Sequence, residues 1–408
     1  MVAQKEGLEE EHVNTGETEV NHTKEPRIVK EELRVLQDVI TQTEIPTWAS
    51  RVPHNFGLSG SGSLKAADWL ILYTVYYPLA MVPYWVIGND WQKQKIDGST
   101  SVTHQDVLRD SLVQLIEITN ILMMHHLEPN DITKYSKLIW EYRKTLKLGW
   151  PTQSSKPNLH LSQHYPKVIK SLGPPMATSA WAQERLNGML GKIPRNNHIG
   201  ELNKTLMSSW NKKALYYGMI NQRNLGTEGS TTDSHVKKTM TTNQTNAILD
   251  SRVYKQWKVQ LENMGFRGNA VEGEIKNVVI TVKSVQIFNR RYVAAKDLFE
   301  KPPGNSSVEI DRGGDRIFGR ISLLFMGQSR EDVWFVVRPF ASLNRWDEAK
   351  NPYKGLPQLN VKLIYSRKLE KAVVVHQSQV VGHIATLRNK EGTFGINQET
   401  ISAIQVAY

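Results

Sequence analysis

Residues 69–87, WLILYTVYYPLAMVPYWVI, run for nineteen positions without a charge, and no other stretch restricts the fold as strongly. A run of that length is long enough to cross a bilayer, and Trp69, Tyr84 and Trp85 are residue types that settle at membrane interfaces. The competing reading is a helix buried on all sides in a large α-helical domain. Pro78 and Pro83 would kink or end such a helix. The run stands alone in the chain and is rich in Tyr rather than Leu, which favours burial in protein.

A buried helix needs neighbours, and the next residues supply them. Leu108, Leu112, Leu115, Thr119, Leu122, Met123 and His126 recur at helical spacing. Ile132, Tyr135, Leu138, Ile139 and Tyr142 repeat the pattern behind Asp131, which is placed to cap. Both stripes read as core, and His125-His126 reads as a packed or C-terminal capping pair rather than a metal site. Ahead of the uncharged run, residues 1–40 are rich in Glu, Thr and Lys and predict a disordered tail entering a short helix near 29–40. The segment IPTWASRVPHNFGLSGSGSLKAADW predicts an irregular connection, with Ser63 as N-cap of the next helix.

From about Ile275 the hydrophobic period becomes that of β-strands. Runs at 278–282, 285–288, 317–324, 333–338, 361–365, 372–375 and 380–387 are rich in Val, Ile, Phe and Trp. Turn clusters at 301–304, 311–314 and 351–355 separate them. Such strands predict a small antiparallel barrel or sandwich. Between the halves, residues 221–246 are Thr, Ser, Asn and Gly with scattered cations and read as a linker. A short helix over 249–263 would carry Val253, Trp257 and Leu261.

Residues 156–210 concentrate the chemistry. His160 and His164 lie at i and i+4 on one helical face. A metalloprotease helix would need Glu after the first His, and Leu161 stands there. Gly173-Pro174-Pro175 is a stop, after which Thr178 or Ser179 can cap a helix. Its apolar face is Ala182, Leu186, Met189, Leu190 and Ile193. Its other face is Glu184, Asn187, Gly188 and Gly191. Two glycines inside a helix cost about 1 kcal/mol each relative to Ala, a cost consistent with close approach of another backbone, either a neighbouring helix or a nucleic-acid strand. Lys192, Arg195, Asn196, Asn197 and His198 follow as a polar, basic loop suited to phosphates. The next helix turns Leu202, Leu206 and Trp210 inward and Lys204, Lys212 and Lys213 outward. Glu184 alone cannot run acid–base or two-metal chemistry.

The charge balance agrees with a polyanion partner. The chain of 408 residues carries a formal net charge of +11, although residues 1–34 hold nine Asp/Glu against five Lys/Arg. A basic body seeks nucleic acid first and an acidic membrane surface second. There is no cysteine, which excludes disulfides, thiolate nucleophiles and Cys-ligated zinc. The polar, acidic amino terminus does not read as a secretory signal, so the four N-x-Ser/Thr sequons read as chance matches.

Four blocks resemble the C-terminal portion of CACTA-type transposases, notably the fungal kind related to the Kyakuja-Dileera-Zisupton group. They are IPTWASRVPHNFG, GSLKAADWLILYTVYYPLAM, KPNLHLSQHYPKVIKSLGPP and ERLNGMLGKIPRNNHIGELNKTLM, spanning roughly residues 45–215. The resemblance implies a soluble helical region, so no membrane partner is expected. It also implies a DDE-type strand-transfer enzyme with an RNase H-like core that uses Mg²⁺ or Mn²⁺, Glu184 being the third acid. The family's two catalytic Asp residues lie upstream of the matched blocks, and residues 1–44 cannot supply them. The expectation is therefore a fragment with no cofactor of its own, inactive alone, nuclear and DNA-associated. Its nucleic-acid contacts would be Arg185, Asn187, Lys192, Arg195, Asn197, Lys204, Lys212 and Lys213.

The β-rich half resembles a bromo-adjacent-homology (BAH) barrel at Gly319-Arg320-Ile321, Trp334–Pro339 and 373–384, which implies a chromatin-protein partner. The expected fold class is α+β, with a mostly helical N-terminal half and a small antiparallel β-barrel in the C-terminal half. The expected divisions are a disordered acidic tail (1–44), the helical transposase-like region (45–220), a linker with a short helix (221–265), the BAH-like barrel (266–390) and a C-terminal tail (391–408).

Overall fold

The computed structural model describes residues 25–58, 60–87, 102–154, 156–193, 199–225, 239–240, 244–264, 276–287, 290–299, 304–327 and 332–406. The fold is α+β, as the change of period predicts: helices fill the first half and antiparallel strands the second.

The first helix, α1 (Lys30–Gln42), belongs to the core. Leu36 and Ile40 are fully buried one turn apart, and the buried Glu32 carboxylate accepts the Val29 N–H at 2.9 Å and the Trp85 indole N–H at 2.7 Å. The disordered tail expected through residue 44 thus ends earlier. Its last part folds because an apolar stripe and one doubly bonded carboxylate outweigh its acidic composition.

The uncharged run forms one helical rod. It comprises α2 (Ala66–Ile71), a π-helical turn (Leu72–Tyr76) and α3 (Tyr77–Ile87). Neither proline ends it. The widened turn lies just before Pro78, where a regular ladder would call for the N–H that proline lacks. Ile71, Leu72, Val75, Tyr76, Met81 and Val82 are fully shielded, so the rod is buried in protein. Among the described residues no helix is long and apolar enough to cross a membrane.

Two long helices follow, α4 (His104–Leu122) and α5 (Pro129–Gly149). A reciprocal capping box starts α4: the Thr103 hydroxyl accepts the Asp106 N–H, and the Asp106 carboxylate accepts the Thr103 N–H. The buried face of α4 contains Leu108 and Leu112 as predicted, then turns through Val113, Ile116, Ile118 and Ile121. Leu115, Thr119 and Leu122 are only half-buried. Ile118 and Ile121 meet Tyr135, Leu138 and Ile139 of α5. His125 and His126 are exposed beyond the helix and cap nothing that the sequence suggested. Five shorter or outlying helices continue the chain: α6 (Pro157–Leu161), α7 (Tyr165–Leu172), α8 (Pro175–Thr178), α9 (Trp181–Gly191) and α10 (Leu202–Leu225).

The β half begins with β1 (Thr239–Met240), β2 (Gln244–Ile248) and helix α11 (Ser251–Asn263). The chain continues through β3 (Val278–Val282), β4 (Ser284–Ile287), β5 (Arg290–Val293), β6 (Ser307–Arg312), β7 (Asp315–Met326) and β8 (Val333–Ser342). The short helix α12 (Arg345–Glu348) precedes β9 (Val361–Leu369), β10 (Val373–His376), β11 (Val380–Asn389) and β12 (Thr400–Gln405). Nine strands form one sheet in the order β10-β8-β9-β12-β11-β6-β7-β3-β2, and β7 also pairs with β8. The pairings β6–β7–β8–β9–β12–β11 therefore return to β6. The hairpin of β6 and β7 turns on Gly313 and Gly314, both at positive φ, as the Asp311-Arg-Gly-Gly cluster predicts. Gly319 has its own reason: a Cβ there would lie 2.6 Å from Val337 Cγ1 and 2.7 Å from the Arg338 carbonyl oxygen.

Two further expected divisions differ. The stretch 391–408, expected as a tail, contains β12, which pairs with β9 on one side and β11 on the other. Thr400 and Ser402 make it look polar in sequence, yet both are buried and accept bonds from Asn389 Nδ2 at 3.2 and 3.0 Å. The stretch 221–265 is expected as a linker with a short helix over 249–263. That helix is α11 (Ser251–Asn263), with Trp257 and Leu261 buried, but the end of α10 and the strands β1 and β2 stand within the expected linker. Trp257 of α11 is buried edge-on against Phe325 and Trp334. Gln256 also caps the outer edge of β10: its amide donates to the Ala372 carbonyl at 3.0 Å and accepts the Val374 N–H at 3.1 Å. That contact covers backbone that would otherwise recruit another strand.

The helical and β halves share one core. Leu36, Ile40, the rod and Ile116 pack with Leu363, Ala385, Leu387, Ile404 and Val406. The irregular segment after α1 forms the seam. Glu44 bridges to Thr386, the Thr47 N–H donates to Asn305 Oδ1 at 2.8 Å, and the Trp48 indole donates to His383 Nδ1 at 3.1 Å. His383 is fully buried and stacks on Tyr292 with centroids 4.2 Å apart. Burial and the nearby Arg290 charge push its pKa down to about 4. Because that pKa is depressed, the unfolded chain takes up the proton first as pH falls. Stability is complete above about pH 6.5 and declines from there toward pH 4, by about 2 kcal/mol at pH 5. Urea unfolding at pH 7.5 and 5.0 measures it. His383→Gln should flatten the difference, and an unchanged pH dependence in that variant would remove His383 as its source.

Candidate nucleic-acid interface

The central stretch starts with Pro157 in the first turn of α6, where its missing N–H costs nothing. His160 and His164 do share a face: their Nε2 atoms are 3.4 Å apart and both rings are exposed. Two ligands do not make a metal centre, and among the described residues no group of three or more His, Asp or Glu could hold an ion. Gly173 closes α7 at φ +83°. Neither Thr178 nor Ser179 caps α9. The Ser179 hydroxyl instead donates to the Met176 carbonyl at the end of α8, and α9 begins without a side-chain cap.

Glu184 is exposed in the first turn of α9, where a carboxylate favours the helix dipole whether or not it has a catalytic past. Asn187 and Lys192 are exposed on the same segment, and Lys204 and Lys212 are exposed on α10. A Cβ at Gly188 or Gly191 would meet nothing within 4 Å, so neither glycine serves close packing of a neighbouring helix among the described residues. The predicted apolar face is only partly covered, with Met189 exposed and Leu190 and Ile193 half-buried. Leu202, Leu206 and Trp210 of α10 are likewise half-buried, and Met207 and Leu215 are exposed. The side chains of Arg185 and Lys213 lie outside the described residues, as do Arg195 and Asn197 entirely.

Charge is more segregated than the predicted contacts imply. Residues 142–227 contain thirteen Lys/Arg and only two carboxylates, Glu184 and Glu201. Their net charge of +11 equals that of the whole chain, so the other residues sum to zero. Every lysine of this stretch whose side chain is described is exposed. Residues 142–183 contain no carboxylate, a bias in composition that helical stripes do not display.

Part of that run forms a groove of about 700 Å³ between the C-terminal half of α5, the loop after it and α6. Trp140, Arg143, Lys144 and Lys147 recur on one face of α5 at i, i+3, i+4 and i+7. Trp150, Lys156 and Leu159 continue the walls. Among the described residues no carboxylate is part of the lining; Glu25, outside it, accepts from Thr152 and Gln153. The scaffold is held by hydrogen bonds. Tyr135 Oη donates to the Ser162 carbonyl at 2.8 Å, and the Trp150 indole donates to the Pro26 carbonyl at 2.9 Å. Trp140, in contrast, remains 55% exposed, with Lys144 Nζ 5.8 Å from its ring centre. Of the predicted core stripe of α5, Tyr135, Leu138 and Ile139 are buried and Ile132 and Tyr142 half-buried, whereas the opposite face has no predicted role. The available signal was a tryptophan outside the stripe among cations. No family model, curated protein or solved structure matches this chain.

Proposed function

We propose that the chain is a transposase-derived, nuclear protein that associates with DNA and lacks a complete DDE site. The observation that carries the DNA reading is that residues 142–227 hold a net charge equal to that of the whole chain, with every lysine whose side chain is described exposed. Lys192, Lys204 and Lys212 would meet phosphates, with Arg185, Asn187, Arg195, Asn197 and Lys213 extending the contact. Glu184 stands as the last acid of a DDE set whose two aspartates are expected outside the matched blocks. Strand transfer with Mg²⁺ or Mn²⁺ would require those acids from a complete relative.

Duplex binding should weaken steeply between 50 and 200 mM salt, with a log–log slope of about −0.9 per phosphate neutralised. The combined Lys192→Gln, Lys204→Gln and Lys212→Gln variant should lose about 2.7 from the magnitude of that slope. Glu184→Gln should bind as the parent does. A flat salt response, or no binding near 50 mM salt, would overturn the reading.

A second reading concerns the β half. The returning ring of six paired strands supports a BAH-like barrel, a shape that suits a scaffold for a chromatin protein. Deleting that half is no test, because its strands complete the helical core. Capture of an acidic chromatin-protein segment by the intact chain, lost on Lys371→Glu in the groove of α11 and β10 that Lys255 and Arg312 also line, would support it.

A further inference from the structure

The groove on α5 has a feature that duplex binding does not use. Bases in a duplex are stacked inside, so phosphate contacts need cations but no open aromatic face. Trp140 offers such a face: over half its surface is exposed, on the wall of a groove large enough for a nucleotide. Trp150 fixes the far end through its bond to Pro26, and Leu146 and Leu159 supply apolar lining. Lys144 has its Nζ 5.8 Å from the ring centre, and Lys147 and Lys156 line the same groove, all three exposed, with no carboxylate among the described lining residues. Aromatic faces framed by cations are how proteins hold unpaired strands: the base stacks while the backbone follows the charge.

We propose that this groove holds an unpaired nucleotide of a DNA strand, with its base on Trp140 and its phosphates toward Lys144, Lys147 and Lys156. The inference rests on the DNA-associated reading and adds to it a preference for single-stranded segments. An acidic peptide would satisfy the cations and leave the indole unused.

The test uses the full chain and fluorescence anisotropy with a labelled thymidine oligonucleotide and a labelled duplex at 50 mM salt. Trp140→Ala should weaken the single strand about 10-fold and the duplex less than about 2-fold. Trp140→Phe should restore most of the loss, which a merely structural role for the indole would not predict. Lys144→Gln with Lys147→Gln should reduce the magnitude of the single-strand salt slope by about 1.4. Equal losses on both probes, or none on the single strand, would overturn the groove assignment while a bound duplex left the broader reading intact. Failure of the parent chain to bind either probe would overturn both. Displacement of the strand by polyglutamate with the same midpoint from the parent and Trp140→Ala would reduce the groove to a cation cluster and overturn the base contact.

Discussion

A chain ending at residue 390 is expected not to fold. The deletion removes β12 from between β9 and β11, exposing two rows of backbone groups that now pair with it. It also removes Ile396, Ile401, Ile404 and Val406, all shielded from solvent. Burial of side chains of that size contributes about 1.5–3 kcal/mol each, or about 6–12 kcal/mol together. Natural domains have only about 5–15 kcal/mol in total. The truncated protein should show no near-ultraviolet circular dichroism and no cooperative melting. Ile404→Val, which removes one methylene, should cost only about 0.5–1.5 kcal/mol and melt cooperatively. A truncated chain that melts like the parent would show that β12 is dispensable.

The second large effect is expected at Gly304. A methyl group there would overlap the Ile45 carbonyl and crowd the Pro46 nitrogen, both backbone atoms that no rotamer change can move. Overpacking in well-packed interiors costs about 1–3 kcal/mol when side chains can adjust. Gly304→Ala should exceed that range, because relief requires lifting residues 45–48 off the β half. The Thr47–Asn305 and Trp48–His383 bonds lie on the same segment and should weaken with it. Hydrogen exchange at the Glu44 amide, which donates to the Thr386 carbonyl at 2.9 Å, reports the lift directly. Slow exchange there with an unchanged urea midpoint would contradict the predicted overlap.

What could be read from sequence follows from how each element hides its polar groups. A helix over the uncharged run 69–87, buried in protein, was legible because the run stands alone and is rich in Tyr. Its continuity past Pro78 was not, since the π-helical turn at Leu72–Tyr76 leaves no mark in sequence. The turn between β6 and β7 was legible because two adjacent glycines after Asp-Arg favour a tight reversal. Strand β12 was not, since Thr400 and Ser402 are satisfied only by Asn389, a partner eleven and thirteen residues away that no local pattern reveals. Strand β6 was missed for a related reason: Glu309 faces the interior, where burial raises its pKa. At the site, the outward placement of Lys204 and Lys212 was legible from helical period. The groove was not, because it forms only when α6 folds back along α5 through the Tyr135–Ser162 bond.

The shared core also governs how the protein can be made. Leu36 and Ile40 find Ala385, Leu387 and Ile404 only after nearly the whole chain has been synthesised. At about 5–20 residues per second, the rod and α1 wait tens of seconds on the ribosome with their apolar faces open. The uncharged run that most restricts the final fold is thus also the segment that nascent-chain chaperones would be expected to hold. Slowing translation downstream of it should lower soluble yield more than slowing translation upstream.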